Sequence, residues 1–183
     1  MTEHWWIAVG LVLLLSIAAW TDWRSRRIPN WLSAAVVLAG FAQSFTPHGW
    51  TSPLGAVYGL LVGFILTFLM YAVGGRGAGD VKLMAGVGTW LGALSTWWVF
   101  AVAAIVSLIV ALAQGISQGK LRALLSNAAL MVLNTIHVRQ LGAAHVIDTG
   151  RRTKSIDKPM PNAVHVWIAT ALWLAWVFSK RGG

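Results

Sequence analysis

The chain has 183 residues, of which 57% are hydrophobic and only 10% are charged. Soluble domains average about 45–50% apolar and about 25% charged residues, so this composition excludes a soluble enzyme. The 14 Lys and Arg residues outnumber the 5 Asp and Glu residues, and in a membrane protein such an excess is typical of cytoplasmic loops rather than of a nucleic-acid-binding surface.

The apolar runs predict an all-α polytopic membrane protein with about six transmembrane helices, forming one membrane-embedded domain over residues 1–183. A crossing needs roughly 20 predominantly apolar residues. The predicted spans, in chain order, are residues 5–21, 31–45, 54–73, two spans within 81–113, and 162–178. The run 81–113 is too long for one span, and we expect it to be divided near residues 94–96. Two of the six spans are then short.

Basic residues predict the orientation of these spans. Arg24, Arg26 and Arg27 follow the first span and are typical of a stop-transfer signal, so we expect this span to be retained rather than cleaved as a signal peptide. All Lys and Arg residues except Lys180 and Arg181 fall within residues 22–30, 74–82 and 116–160. The positive-inside rule therefore predicts that these segments are cytoplasmic and that both termini lie on the opposite side of the membrane.

Residues 116–160 are expected to form a cytoplasmic amphipathic and basic loop. Apolar residues recur at helical spacing over residues 121–141, which predicts a helix that lies on the inner leaflet or, alternatively, is buried or spans the membrane. Residues 151–158 are basic, and we expect them to attract anionic lipid.

Acidic residues are rare in membrane helices, so each one needs a reason. Glu3, Asp148 and Asp157 fall in segments expected to be solvated. Asp22 closes the first span, and Asp80 follows a glycine-rich stretch at the start of the fourth. The predicted topology puts Asp22 and Asp80 at the same depth, on the cytoplasmic side.

Two carboxylates held close together share a proton, because ionising both is costly. The ionised group can take a proton from water, and the protonated group can donate one to a carbonyl oxygen or a leaving amine. This chemistry needs no cofactor or metal, and no cysteine is present. We expect Gly77 and Gly79 to shape the site, by adopting positive φ and letting an extended peptide approach. The simpler interpretations are an interfacial ion pair for Asp22 and a plain turn for residues 77–80.

Three motifs resemble the prepilin peptidase family of intramembrane aspartic proteases. In the first, Asp22 is followed after three residues by Arg-Arg-Ile-Pro-Asn at residues 26–30. The second is Gly-Ala-Gly-Asp-Val-Lys-Leu at residues 77–83, and a weaker third is Lys-Pro-Met-Pro-Asn-Ala at residues 158–163. The order of the first two motifs and the six predicted spans fit the whole family core.

The resemblance implies that Asp22 and Asp80 are the catalytic pair and that the substrates are prepilins or pseudopilins. It also implies that these are cut after a basic leader, on the cytoplasmic side of a bacterial inner membrane. Lys82 would steady a carboxylate or a substrate carbonyl, or else bind a lipid phosphate. The absence of cysteine resembles the short Tad/Flp-type members, which implies a peptidase without methyltransferase activity. No nucleic-acid partner is implied, and the oligomeric state stays open.

Three other functions are compatible with the residues. A presenilin-like Gly-x-Gly-Asp protease would use the same pair of aspartates on a different substrate. A small ion- or proton-coupled transporter would use them as a relay, although no inverted repeat or unwound midspan motif is visible. A non-catalytic subunit of a secretion or pilus machine would not use them at all.

Overall fold

The computed structural model describes residues 5–72, 77–137 and 160–182. Six helices lie in these ranges: α1 (Trp5–Ser25), α2 (Asn30–Ser44), α3 (Pro53–Ala72), α4 (Ala78–Ser117), α5 (Leu121–Ile136) and α6 (Asn162–Gly182). None of the described residues forms a strand, so the all-α prediction is confirmed. Glu3, Asp148, Asp157 and the basic residues 151–158 lie outside the described ranges.

Four helices, α1, α3, α4 and α6, are long and apolar enough to cross a membrane. The chain is therefore membrane-embedded, as its composition predicts. Helix α2 has only 15 residues, and α5 has 16, so neither qualifies by length. The six-crossing topology stays a prediction.

Helix α4 is broken at Gly92, where φ is 75° and ψ is 172°. A straight helix of its 40 residues would be about 60 Å long, twice the hydrocarbon thickness of a bilayer. The predicted division of this run is confirmed, but the break comes before residues 94–96. Glycine adopts a positive φ at little cost, whereas other residues are strained there, so the glycine at position 92 permits the break.

The two segments of α4 run back along each other. In the first segment, near the start of α4, Asp80 accepts a hydrogen bond of 2.9 Å from the Asn162 side chain. In the second segment, Oγ of Ser107 lies 3.0 Å from Nδ1 of His165. His165 comes one helical turn after Asn162 in α6. Both segments therefore meet the same end of α6, while Gly92 lies beside Thr51 at the opposite end of the molecule.

Helices α3 and α4 approach each other so closely that glycine is required between them. A Cβ atom added at Gly59 would overlap the carbonyl oxygen of Gly88, and one added at Gly88 would overlap that of Gly59. Gly63 meets the backbone of Met84 in the same way. Small residues at this spacing bring membrane helices into backbone contact, and here they fix the first segment of α4 against α3.

Helix α2 is joined to α4 by buried polar contacts. The indole nitrogen of Trp90 donates to the carbonyl of Val36 at 2.8 Å, and the side-chain nitrogen of Gln43 donates to the carbonyl of Trp90 at 3.5 Å. The hydrophobic core around these contacts includes Ile7 and Leu11 of α1. These contacts hold α2 and the start of α4 in one rigid arrangement.

Helix α5 packs on the end of α4 through the side chain of Leu124, which lies against Gly115. Several of its apolar side chains, including Leu125, Val132 and Leu133, are exposed in the described structure. The helix predicted over residues 121–141 therefore exists as Leu121–Ile136, whereas its position on or across the membrane stays a prediction.

Candidate active site

Asp22 lies in the last turn of α1. The helix ends because Arg26 adopts a left-handed conformation with φ 55°, from which its N–H donates back to the carbonyl of Asp22 at 2.9 Å. The side chain of Asp22 is only 7% exposed. Its Oδ2 accepts a hydrogen bond of 3.1 Å from the backbone N–H of Ala163, in the first turn of α6. A carboxylate is stabilised there because the first N–H groups of a helix have no partner within it.

Asp80 lies in the first turn of α4 and forms part of its N-terminal cap. Its Oδ2 accepts from the backbone N–H of Gly77 at 3.0 Å, and the carbonyl of Gly77 accepts from the N–H of Asp80 at 3.1 Å. The same Oδ2 also accepts from Nδ2 of Asn162 at 2.9 Å. The side chain is 6% exposed. These contacts fix the orientation of a carboxylate that is almost fully buried.

Both aspartates are held by the start of α6. Asn162 binds Asp80 and the next residue, Ala163, binds Asp22, so two hydrogen bonds and one peptide unit connect the carboxylates. Asp80, Arg26 and His165 are close enough to Asp22 to interact with it electrostatically. The residues that the sequence predicted to lie at one depth thus both contact the start of α6, and Asp22 has partners there in addition to its interaction with Arg26.

The two sequence motifs also touch each other. Ile28, from the segment that links α1 to α2, packs over Gly79, where an added Cβ would lie 3.5 Å from the Ile28 side chain. Pro29 then forms the N-cap of α2. The link between Asp22 and α2 therefore covers the first turn of α4, beside Asp80.

The expectation of positive φ at Gly77 and Gly79 is wrong. Gly77 has φ −88° and ψ 153°, an extended conformation that any residue can adopt. Gly79 is helical, and a Cβ there would make an ordinary van der Waals contact. Among the described glycines, positive φ occurs at Gly92 and Gly119. Gly77 contributes its N–H to Asp80, and Gly79 contributes space for Ile28.

Lys82 is exposed and does not contact either aspartate. Its ammonium group donates to Oδ1 of Asn30 at 2.9 Å. Residues two positions apart on a helix point in nearly opposite directions, so Lys82 leaves the face of α4 that carries Asp80. The structure therefore does not support a role for Lys82 in steadying a carboxylate.

Two residues of α6 belong to the site although the sequence did not identify their roles. Asn162 is a polar residue that follows a proline at the start of an apolar run, which is a recognisable signal for the start of a helix. His165 is 4% exposed and contacts Ser107. In the part of the chain that the structure describes, no group of three or more His, Cys, Asp or Glu side chains is arranged to hold a metal ion.

Comparison with known proteins adds two findings. The family model described as the type IV leader peptidase family matches residues 9–113, more than half of the chain, including Asp22 and Asp80. The preflagellin peptidase of Methanococcus voltae is 36% identical over 85 residues, an alignment that covers 44% of this chain. The chain spans only 36% of the length of that relative in the alignment. No solved structure matches the chain significantly.

Proposed function

The chain belongs to the type IV leader peptidase family, and we propose that it is an intramembrane aspartic endopeptidase that removes leader peptides from prepilin-like precursors. The observation that carries this proposal is the meeting of Asp22 and Asp80 at the start of α6, through adjacent residues. Family membership also argues against the transporter and the non-catalytic subunit as functions.

In the proposed mechanism the two carboxylates share one proton. The ionised aspartate takes a proton from a water molecule as the water oxygen attacks the carbonyl carbon of the scissile bond, and the protonated aspartate donates to the carbonyl oxygen. The tetrahedral intermediate then collapses and the carbon–nitrogen bond breaks. The leaving nitrogen receives a proton from the first aspartate, and the second aspartate takes back a proton from a hydroxyl group of the intermediate as the new carboxyl group forms. The pair returns to its starting state with one proton.

The proposed substrates are Flp/Tad-like prepilins, cut at the cytoplasmic face between a basic leader and an apolar helix. The relative from Methanococcus voltae is named as a preflagellin peptidase, so a preflagellin-type precursor belongs in the same test. Arg24, Arg26 and Arg27 follow Asp22 closely, which by the positive-inside rule favours a cytoplasmic site with both termini outside. The apolar helix that follows the leader in such a precursor would pack against the apolar outer surface of the helix bundle.

A cleavage assay tests this function. The protein is reconstituted in liposomes with an Flp-type prepilin, a type IV prepilin or a preflagellin, and products are separated by gel electrophoresis and sequenced from their N-termini. We expect one new N-terminus immediately after the leader of at least one precursor. Intact precursors in all three reactions, with the protein shown to be folded, would contradict the proposal and favour a Gly-x-Gly-Asp protease with another substrate.

Replacing Asn162 with alanine is expected to lower kcat about 10- to 100-fold. The substitution removes a hydrogen bond to a carboxylate, and such bonds contribute about 1.5–3 kcal/mol. Cleavage rates at saturating substrate measure the effect, with Ser126→Ala as a control because Ser126 bonds only locally, to the carbonyl of Ala123. Recovery of part of the rate in Asn162→Gln would assign the loss to the amide donor, whereas an unchanged rate in Asn162→Ala would show that Asp80 does not need it.

A further inference from the structure

An open groove of about 450 Å³ lies between α2, α3 and the start of α4. Asn30, Ser33 and Lys82 give it polar groups, whereas the rest of its lining is apolar. Because Asn30 begins α2 and Lys82 lies in the second turn of α4, the polar end is at the same end of the bundle as Asp22 and Asp80. The groove nevertheless opens away from the aspartates, on the face of α4 that carries Lys82.

The polar end of the groove is suited to an anion. Lys82 supplies a positive charge that is held in place by Oδ1 of Asn30 at 2.9 Å. The N-terminus of α2 adds the partial positive charge of the helix dipole, and no side chain caps that terminus by a hydrogen bond. The described residues around this end of the groove contribute no acidic side chain to its lining.

Ser33 is a second, independent sign of a ligand here. Its side chain is 3% exposed, and no hydrogen-bond partner for its hydroxyl exists among the described residues. A buried hydroxyl without a partner costs free energy. Since Ser33 lines the groove, rotation about χ1 would let it donate to an oxygen of a molecule bound there.

The remainder of the groove opens sideways to the surroundings of the bundle. Val37, Leu38 and Phe64 line it, and Leu38 is 67% and Phe64 42% exposed. In a membrane-embedded protein such side chains face lipid tails. The groove thus combines an anion-binding end at the level of the membrane surface with an apolar channel at the level of the acyl chains.

We propose that this groove binds one anionic phospholipid, with its phosphate at Lys82 and Ser33 and an acyl chain along Val37, Leu38 and Phe64. Charge decides between a lipid and a peptide as the occupant. The basic leader of a prepilin-like precursor has the wrong sign for Lys82, whereas an anionic head group has the right one. This inference concerns a site separate from the aspartates, and only the choice of a lipid over a peptide rests on the proposed substrate.

Lipid binding to the purified protein tests the proposal. Native mass spectrometry in detergent measures the dissociation constants of phosphatidylglycerol and of phosphatidylethanolamine. We expect one phosphatidylglycerol molecule to bind more tightly than phosphatidylethanolamine, and Lys82→Gln to weaken it about fivefold, the effect of one basic side chain at an anionic lipid surface. The matched control, Lys180→Gln, changes an exposed lysine of α6 outside the groove and should leave the constant unchanged.

A variant that fills the groove separates the apolar channel from the charge. Ala34 lines the groove, so Ala34→Phe should weaken the binding of phosphatidylglycerol while leaving Lys82 in place. Ala113→Phe, at an exposed position of α4, should leave that binding unchanged. Equal affinities for the two lipids, or wild-type binding in both Lys82→Gln and Ala34→Phe, would overturn the proposal.

Photo-crosslinking in liposomes identifies the occupant directly. A benzophenone amino acid is introduced at Leu38, which lines the groove and is 67% exposed, and the liposomes contain phosphatidylglycerol together with a prepilin. Adducts with the lipid are expected at the groove. Adducts with the prepilin and none with the lipid would show that the groove receives a peptide helix, and would overturn the lipid assignment.

Discussion

Asp80→Asn and Asp22→Asn are each expected to abolish peptide-bond cleavage while the protein remains folded. Asparagine nearly matches aspartate in shape, but its amide cannot take a proton from water or donate one as an acid. General acid–base catalysis contributes about 100- to 10,000-fold to a rate, and each aspartate acts in both directions during the proposed reaction. We therefore expect a loss of roughly 1,000-fold or more in either variant.

The structure explains why these two substitutions should preserve the fold. The Oδ1 of an asparagine at position 80 can still accept from Gly77 and Asn162, and one at position 22 can still accept from Ala163. Asp157→Asn is the matched control, because the sequence puts Asp157 in the predicted basic loop. Initial rates of prepilin cleavage, with thermal unfolding measured alongside, provide the test. More than a tenth of the wild-type rate in either variant would rule out a two-aspartate mechanism.

Gly59→Ala and Gly88→Ala are expected to destabilise the protein strongly. In an ordinary helix this substitution stabilises by about 0.5–1 kcal/mol, because alanine loses less backbone entropy. Here each added methyl group overlaps a backbone carbonyl of the opposite helix, and a helix backbone cannot move away as a side chain can. Overpacking of this kind costs about 1–3 kcal/mol.

Thermal unfolding in detergent, followed by tryptophan fluorescence, measures this effect. We expect the Tm of Gly59→Ala and of Gly88→Ala to fall by about 3–10 °C. Gly10→Ala is the matched control, since a methyl group there meets only the ring of Trp90 at 3.5 Å, an ordinary contact. A Tm at or above the wild-type value in both variants would mean that α3 and α4 do not pack as closely as described.

The hydropathy of the sequence predicts the helices well because helix length in a membrane is set by bilayer thickness. It also predicts that Asp22 and Asp80 lie at one end of the bundle, since each stands at the end of an apolar run. The break in α4 was predicted two residues too late. The hydropathy of the run is nearly continuous there, so only the backbone conformation of Gly92 marks the turn.

The contacts within the site could not be derived in the same way. Glycine is compatible with many conformations, so the sequence does not reveal that Gly77 is extended and Gly79 helical. Lys82 stands two residues from Asp80, which suggested a shared role, but helical geometry turns the two side chains apart. Asn162 binds Asp80 although the two residues are 82 positions apart in the chain. No local sequence pattern predicts a contact between residues so far apart.

The short segments of the bundle have a consequence for the surrounding bilayer. Helix α2 and residues 78–91 of α4 contain 15 and 14 residues and are about 21–22 Å long, some 8 Å less than a typical hydrocarbon core. Lipids adapt to such hydrophobic mismatch by thinning locally, at a cost of fractions of a kcal/mol per Å. With these segments crossing the membrane as the sequence predicts, the membrane surface is drawn toward the end of α4 that carries Asp80. We then expect the thickness of the host membrane to affect how readily water reaches the two carboxylates.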